Sequence, residues 1–161
     1  MHRWGKRSLW VAIAGLAGLI FWFSGQDATA STDVSQGFLA KILGCFSFFS
    51  GLPQEKQLEI LLFYEKPLRK SAHFFIYACL GFLIAWQSKL YGFYGKKQAA
   101  IVAISGFLYA CSDELHQRFV PGRSGQWSDV CLDTAGTMTG YLIFLLMICI
   151  WQKVYKQREY N

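Results

Sequence analysis

Four stretches of the chain are predominantly apolar: residues 8–24, 71–88, 98–117 and 129–151. Each has about the 20 residues that an α-helix needs to cross a hydrocarbon layer ~30 Å thick. The first, SLWVAIAGLAGLIFWFS, follows Arg3, Lys6 and Arg7. Ala28-Thr29-Ala30 resembles a signal-peptide cleavage site, but the stretch closes on bulky Phe21, Trp22 and Phe23, which reads as a membrane helix. Between the first two stretches the pattern changes. Phe38, Leu39, Ile42, Leu43, Phe46 and Phe49 recur at helical spacing among polar residues, and after Pro53 Leu58, Leu61 and Leu62 face away from Glu55 and Glu59. This is the periodicity of helices lying in the membrane interface, over residues 34–64. The run 38–52 holds a lysine and falls short of a span; a re-entrant segment is the other reading. The pattern therefore predicts one all-α domain over residues 1–161: an integral membrane four-helix bundle with one or two interfacial amphipathic helices between the first and second spans.

Composition agrees with the pattern. Of 161 residues, 53% are hydrophobic and only 16% charged, too greasy and too continuous for a soluble domain. A net charge of +6 is compatible with a nucleic-acid partner, but the basic residues flank apolar blocks in small groups. That arrangement suits lipid headgroups and orientation signals, so no nucleic-acid partner is expected. Four spans put both termini on one side, with Arg3, Lys6, Arg7, Lys89, Lys96, Lys97, Lys153, Lys156 and Arg158 and the single acid Glu159. The positive-inside rule makes that side cytoplasmic. The five cysteines include no CxxC pair and read as small buried hydrophobes.

The ionisable residues change the picture most. Lys70 and His73 head the second span; Asp113, Glu114, His116 and Gln117 end the third; Asp129 and Asp133 open the fourth; Arg118 and Arg123 sit in the joining loop. The topology gathers all of them at one membrane face, the external one. Lys66, Lys70, His73 and Tyr77 share a stripe if their helix starts early enough. Tyr109, Asp113 and His116 share another, and Asp129 and Asp133 a third that continues through Gly136 and Gly140. That small-xxx-small pair permits close helix approach. Asp133 lies about 6 Å deeper than Asp129 at ~1.5 Å per residue, so it needs a partner such as His73, Lys70 or Arg123. Pro121-Gly122 is the expected loop turn and Ser128 the expected helix cap.

Several chemistries fit such a cluster. Lys70 and Arg123 could clamp a phosphate or carboxylate, with Glu114, His116 or Asp113 doing acid–base work if the protein is an enzyme. Histidines with carboxylates also supply divalent-metal ligands, though no HxxxH or HExxH spacing marks a metal site. Ser112, Ser124 and Ser128 are available nucleophiles without a motif, and GxSxG, P-loop and GxGxxG patterns are absent from the sequence. Binding an anionic headgroup needs the same charges and no reaction, and ion pairs that only hold the helices together need no ligand. Binding, catalysis and a structural or assembly role all remain open on the residues alone.

KSAHFFIYACLGFL followed by SDELHQRFVPGRSGQWSDVCLDTAGTMTG closely resembles the VanZ-like family of small bacterial membrane proteins. Lys70, His73 and Tyr77 match its Lys-x-x-His-x-x-x-Tyr stretch. Asp113, Glu114, Gln117, Phe119, Pro121 and Arg123 match a second stretch, and Asp129, Asp133 and Gly136 a third. FWFSGQD resembles the Ser-x-Gln that ends the family's first helix, which places Ser24 and Gln26 near the same face. The resemblance, over residues 8 to 150, implies a multi-pass protein of the bacterial plasma membrane. It also implies a cell-envelope role tied to teicoplanin, a lipid-tailed glycopeptide. On that footing Lys70, His73, Gln117, Arg123, Asp129, Asp133, Gln26 and Tyr77 form a ligand-binding set. The partners expected are membrane lipids and a lipid-linked cell-wall precursor or glycopeptide.

Overall fold

A computed structural model describes residues 3–158. It is helical throughout its regular structure: α1 (Arg3–Ser24), α2 (Ala28–Gly44), α3 (Ser47–Ser50), α4 (Gln54–Leu90), α5 (Gly95–Gln117) and α6 (Trp127–Arg158). Glu159 lies outside the described residues, as do the side chains of Arg3, Lys156 and Arg158. Among the described residues, three helices, α1, α4 and α6, are long and apolar enough to cross a membrane. The helix α5 packs with them as the fourth member of the bundle, against both α4 and α6. It has the length of a span, but Lys96, Lys97, Asp113 and Glu114 lower its apolar character.

The central seam is α4 against α6. Its closeness follows from small residues. A Cβ on Gly136 would meet the Phe74 carbonyl, and one on Gly140 would meet the Ala78 carbonyl. From the other side, Gly81 of α4 and Gly106 of α5 both face Thr137, which is fully buried between them. Backbones in such contact gain dispersion and weak C–H···O contacts that a larger side chain would deny them. Around the seam sit two apolar clusters. Ile20, Tyr77, Leu80, Ala110 and Val130 form one, and Ala85, Val102, Tyr141 and Phe144 the other. Outward-facing Val11, Trp22, Phe75, Leu142 and Leu146 are exposed, the surface a lipid surround would cover.

The connection between α1 and α4 departs from the pattern in three ways. The first amphipathic helix starts at Ala28, not residue 34, because Asp27 caps it: its carboxylate accepts from the Ala30 N–H at 2.7 Å and the Thr29 hydroxyl at 2.8 Å. The run 38–52 is no single segment, since the chain turns at Cys45-Phe46 before the short α3. Finally, the helix after Pro53 does not end before the second span. It runs on through Pro67 as one 37-residue helix, about 55 Å long at ~1.5 Å per residue. The Ser71 hydroxyl donates to the Pro67 carbonyl at 2.8 Å inside this stretch.

Smaller corrections follow the same logic. The helix α6 begins at Trp127, so Ser128 sits in its first turn instead of capping it, and its hydroxyl lies 3.2 Å from Asp129 Oδ1. The cysteines are not core residues: Cys45, Cys79, Cys131 and Cys149 are exposed and Cys111 half-buried, none in a disulfide. An apolar surround tolerates a thiol on the outer helix faces as readily as a core does. The Pro121-Gly122 turn is present, with Gly122 at φ +75° and the Arg123 N–H donating to the Val120 carbonyl at 3.2 Å. A positive φ at the third position of a hydrogen-bonded four-residue turn is where glycine is needed.

Candidate functional site

The Gly136 contact sets the register of α6 on α4, and one and two turns earlier the same stripe delivers Asp133 and Asp129 to α4. Asp129 pairs with the Lys70 ammonium, and Asp133 faces His73, its Oδ2 standing 3.8 Å from Nδ1. The outer pair is partly exposed, whereas Asp133 retains only 1% of its surface. A separation of 3.8 Å is too long for a hydrogen bond. Among the described residues, neither carboxylate oxygen of Asp133 has a hydrogen-bond partner, although both are buried.

Asp113 completes the cluster from α5. The stripe Tyr109–Asp113–His116 lies against α1. The Tyr109 hydroxyl donates to the Ala17 carbonyl at 2.6 Å, Ser24 donates to Asp113 Oδ2 at 2.9 Å, and His116 stacks on Phe21 with ring centroids 4.1 Å apart. Gln117 also donates to Asp113 Oδ2, at 3.2 Å, while Oδ1 is buried without a partner. Ligand atoms of His73, Asp113 and Asp133 all lie within 4.8 Å of one another. Tyr77 is buried beside this group, its ring 5.9 Å from that of Tyr109 and its hydroxyl unpaired.

Two cavities open from the cluster. A groove of about 340 Å³ runs between α1, α2 and α4. Its walls are apolar, from Ile20, Phe23, Val34, Phe38, Leu68 and Ile76, and Gln26, Arg69, His73 and Arg123 gather in its lining. A second, polar space of about 20 Å³, room for one water-sized occupant, is lined by residues that include Lys70, Gln117, Asp129 and Asp133. Arg69, His73 and Arg123 line both. Arg123 reaches back to donate to the Phe23 carbonyl at 3.3 Å, and its buried Nε has no partner among the described residues. Burial, and after it the neighbouring Arg69, push the Arg123 guanidinium below its ordinary range. Two cations held together in this way form a setting that an anion relieves.

Lys70, His73, Asp113, Gln117, Arg123, Asp129 and Asp133 therefore come together, with Gln26 at the groove and Tyr77 beneath. Glu114 and His116 are directed elsewhere. Glu114 accepts the Gln126 backbone N–H at 2.7 Å, so it ties the foot of α5 to the start of α6, where an acid also suits the helix dipole. His116 belongs to the α1 contact. Lys66 and Arg118 are exposed. Arg69 is the residue that the sequence pattern passes over. It stands one helical turn before His73, and that spacing is the signal that could have found it. Glu65 is a second such residue, buried in α4, where it accepts from the Thr32 hydroxyl at 2.8 Å and pins α2 over the groove.

Neither the curated proteins nor the solved structures gave a match. The family described as VanZ/LLP1 matches residues 9–149, a range that contains every residue of the cluster and both walls of the groove. On that match over most of its length, this chain belongs to the VanZ/LLP1 family.

Proposed function

We propose that the protein binds an anionic, lipid-tailed molecule at the external face of the bacterial plasma membrane, with its charged head at Arg69 and Arg123 and its chain in the groove beneath α2. The observation that carries this reading is the joining of an apolar groove to a pair of cations, one of which has an unpaired buried donor. Guanidinium groups recognise phosphate through several N–H donors at once, and an apolar wall of this size suits an acyl or polyprenyl chain. A lipid-linked cell-wall precursor has both parts. Engaging or shielding it would reduce access by a lipid-tailed glycopeptide, so the protein would contribute to teicoplanin-type resistance. Lys70–Asp129 and Gln26 would frame the head, and α2 would act as the cover. The test is teicoplanin susceptibility in a host expressing wild type, Arg123→Ala or Arg69→Ala at matched membrane levels. Protection by wild type and its loss in both variants is expected; equal protection in all three would refute the reading.

A second reading, a membrane-interface enzyme acting on a lipid-linked substrate, is favoured by the two buried carboxylates beside His73. In it, Asp113 or Asp133 would do acid–base work. Incubating purified protein with lipid-linked precursor, with and without divalent metals, decides it. A new product by mass spectrometry that Asp133→Asn fails to make supports catalysis, and unaltered precursor counts against it.

A further inference from the structure

We propose that His73, Asp113 and Asp133 bind one first-row divalent cation of the Mn²⁺ or Zn²⁺ class, held between α4, α5 and α6. Three elements each supply one ligand, and their donor atoms already converge within 4.8 Å. Ligands at about 2.1 Å from a shared cation stand about 3.4 Å apart in tetrahedral geometry and up to about 4.2 Å when opposed. The 3.8 Å between His73 Nδ1 and Asp133 Oδ2, too long for a hydrogen bond, falls inside that interval.

The hydrogen bonding points the same way. Asp133 and Asp113 each keep 1% of their surface, yet both Asp133 oxygens and Asp113 Oδ1 have no partner. A buried carboxylate left without donors is expensive, and more so beside a second carboxylate at membrane depth. The partners that do exist bond one oxygen of Asp113: among the described residues, Ser24 and Gln117 both donate to Oδ2, which leaves Oδ1 open to a further partner. That is the arrangement by which outer hydrogen bonds orient a metal ligand. A dication beside two carboxylates and a neutral imidazole balances the local charge. Lys70 is engaged by Asp129, and Arg69 and Arg123, which line the same polar space, make no hydrogen bond to Asp133. One imidazole with two carboxylates fits a first-row dication better than an alkaline-earth ion bound by oxygen alone. The polar space next to His73 and Asp133 has room for one further ligand, a water or an oxygen of a bound headgroup.

The experiment uses full-length protein in detergent, freed of any affinity tag and stripped with EDTA, then titrated with Mn²⁺ or Zn²⁺ alone by calorimetry. One ion per chain is expected, with a rise in melting temperature. Asp133→Asn and Asp113→Asn should weaken binding at least 100-fold and His73→Gln at least 10-fold. Metal-free Asp133→Asn should melt no lower than metal-free wild type, because it removes a buried charge. Electron spin-echo modulation of bound Mn²⁺ should show coupling to an imidazole nitrogen, a readout that needs no variant to fold. No binding tighter than millimolar, binding undiminished in both aspartate variants, or no nitrogen coupling in the wild type would each overturn the proposal. The titration contains no lipid, so its failure leaves the groove reading standing. Loss of lipid binding in EDTA likewise leaves the ion site standing.

Discussion

At the scale of single residues, the foot of α5 shows how the helical repeat sorts a polar run. Asp113 and Gln117 are four apart and share a face, and Gln117 indeed donates to Asp113. Glu114 and His116 lie to either side, so one goes to the loop and the other to α1. Reading SDELHQ as a single cluster therefore blurs three destinations that differ by about 100° per residue. The stripes that hold Lys70 with His73 and Asp129 with Asp133 were legible from spacings of three and four residues, but the pairing across them was not: the sequence left His73, Lys70 and Arg123 all open as partners of Asp133. Two expectations belong here. A double-mutant cycle of Lys70→Ala and Asp129→Ala should give a coupling of about 1 kcal/mol or less, because the lysine side chain is 41% exposed. The Asp27 cap should respond to acid. The Ala30 N–H, then the Thr29 hydroxyl, hold its carboxyl below the ordinary carboxylate value. A group depressed in the folded state contributes fully above its unfolded pKa and loses that contribution as pH falls through the folded one. Amides of the first turn of α2 should thus lose protection, measured against their intrinsic exchange rates, in acid below about pH 4, where carboxylates ordinarily titrate. Asp27→Ala should show the same loss at neutral pH, and Asp27→Asn should not.

At the scale of elements, the seam between α4 and α6 carries the site, since it fixes which α4 residues face Asp129 and Asp133. Its small residues were readable as a spacing, Gly136 and Gly140, but their counterparts on α4 were not. Ala78 and Phe74 present carbonyls there, and a backbone surface leaves no mark in side-chain pattern. The start of α4 was hidden for a related reason. Hydropathy changes near Arg69-Lys70, yet a helix about 55 Å long outruns a hydrocarbon core of ~30 Å and continues as charged turns beyond it. A composition boundary marks where the solvent changes, not where the backbone does. Gly140→Leu should force the Ala78 backbone away and lower stability by about 3 kcal/mol or more, read from melting in detergent. Gly15→Ala on α1 is the control: a Cβ there meets nothing within 4 Å, so its melting should be no lower than that of wild type.

For the whole molecule, the two questions are how it crosses the bilayer and what it holds. Apolar exposure on α1, α4 and α6 suits three crossings, and α5, which closes the bundle, would make four. Green fluorescent protein fused in turn to each terminus separates these arrangements. Four crossings with the basic termini inside predict fluorescence from both fusions, and three crossings predict it from one. The all-helical class and the convergence of polar residues were legible in the sequence, because both follow from where hydrophobic runs begin and end. The groove was not, because it arises where α2 fails to fill the angle between α1 and α4, and such a gap has no sequence pattern. Binding of a lipid-linked cell-wall precursor to protein in lipid nanodiscs tests the groove and its cations most directly. Saturable binding by wild type is expected, weakening at least 10-fold in Arg123→Ala and in Arg69→Ala. Equal affinity in all three proteins, or no binding by wild type, would contradict it.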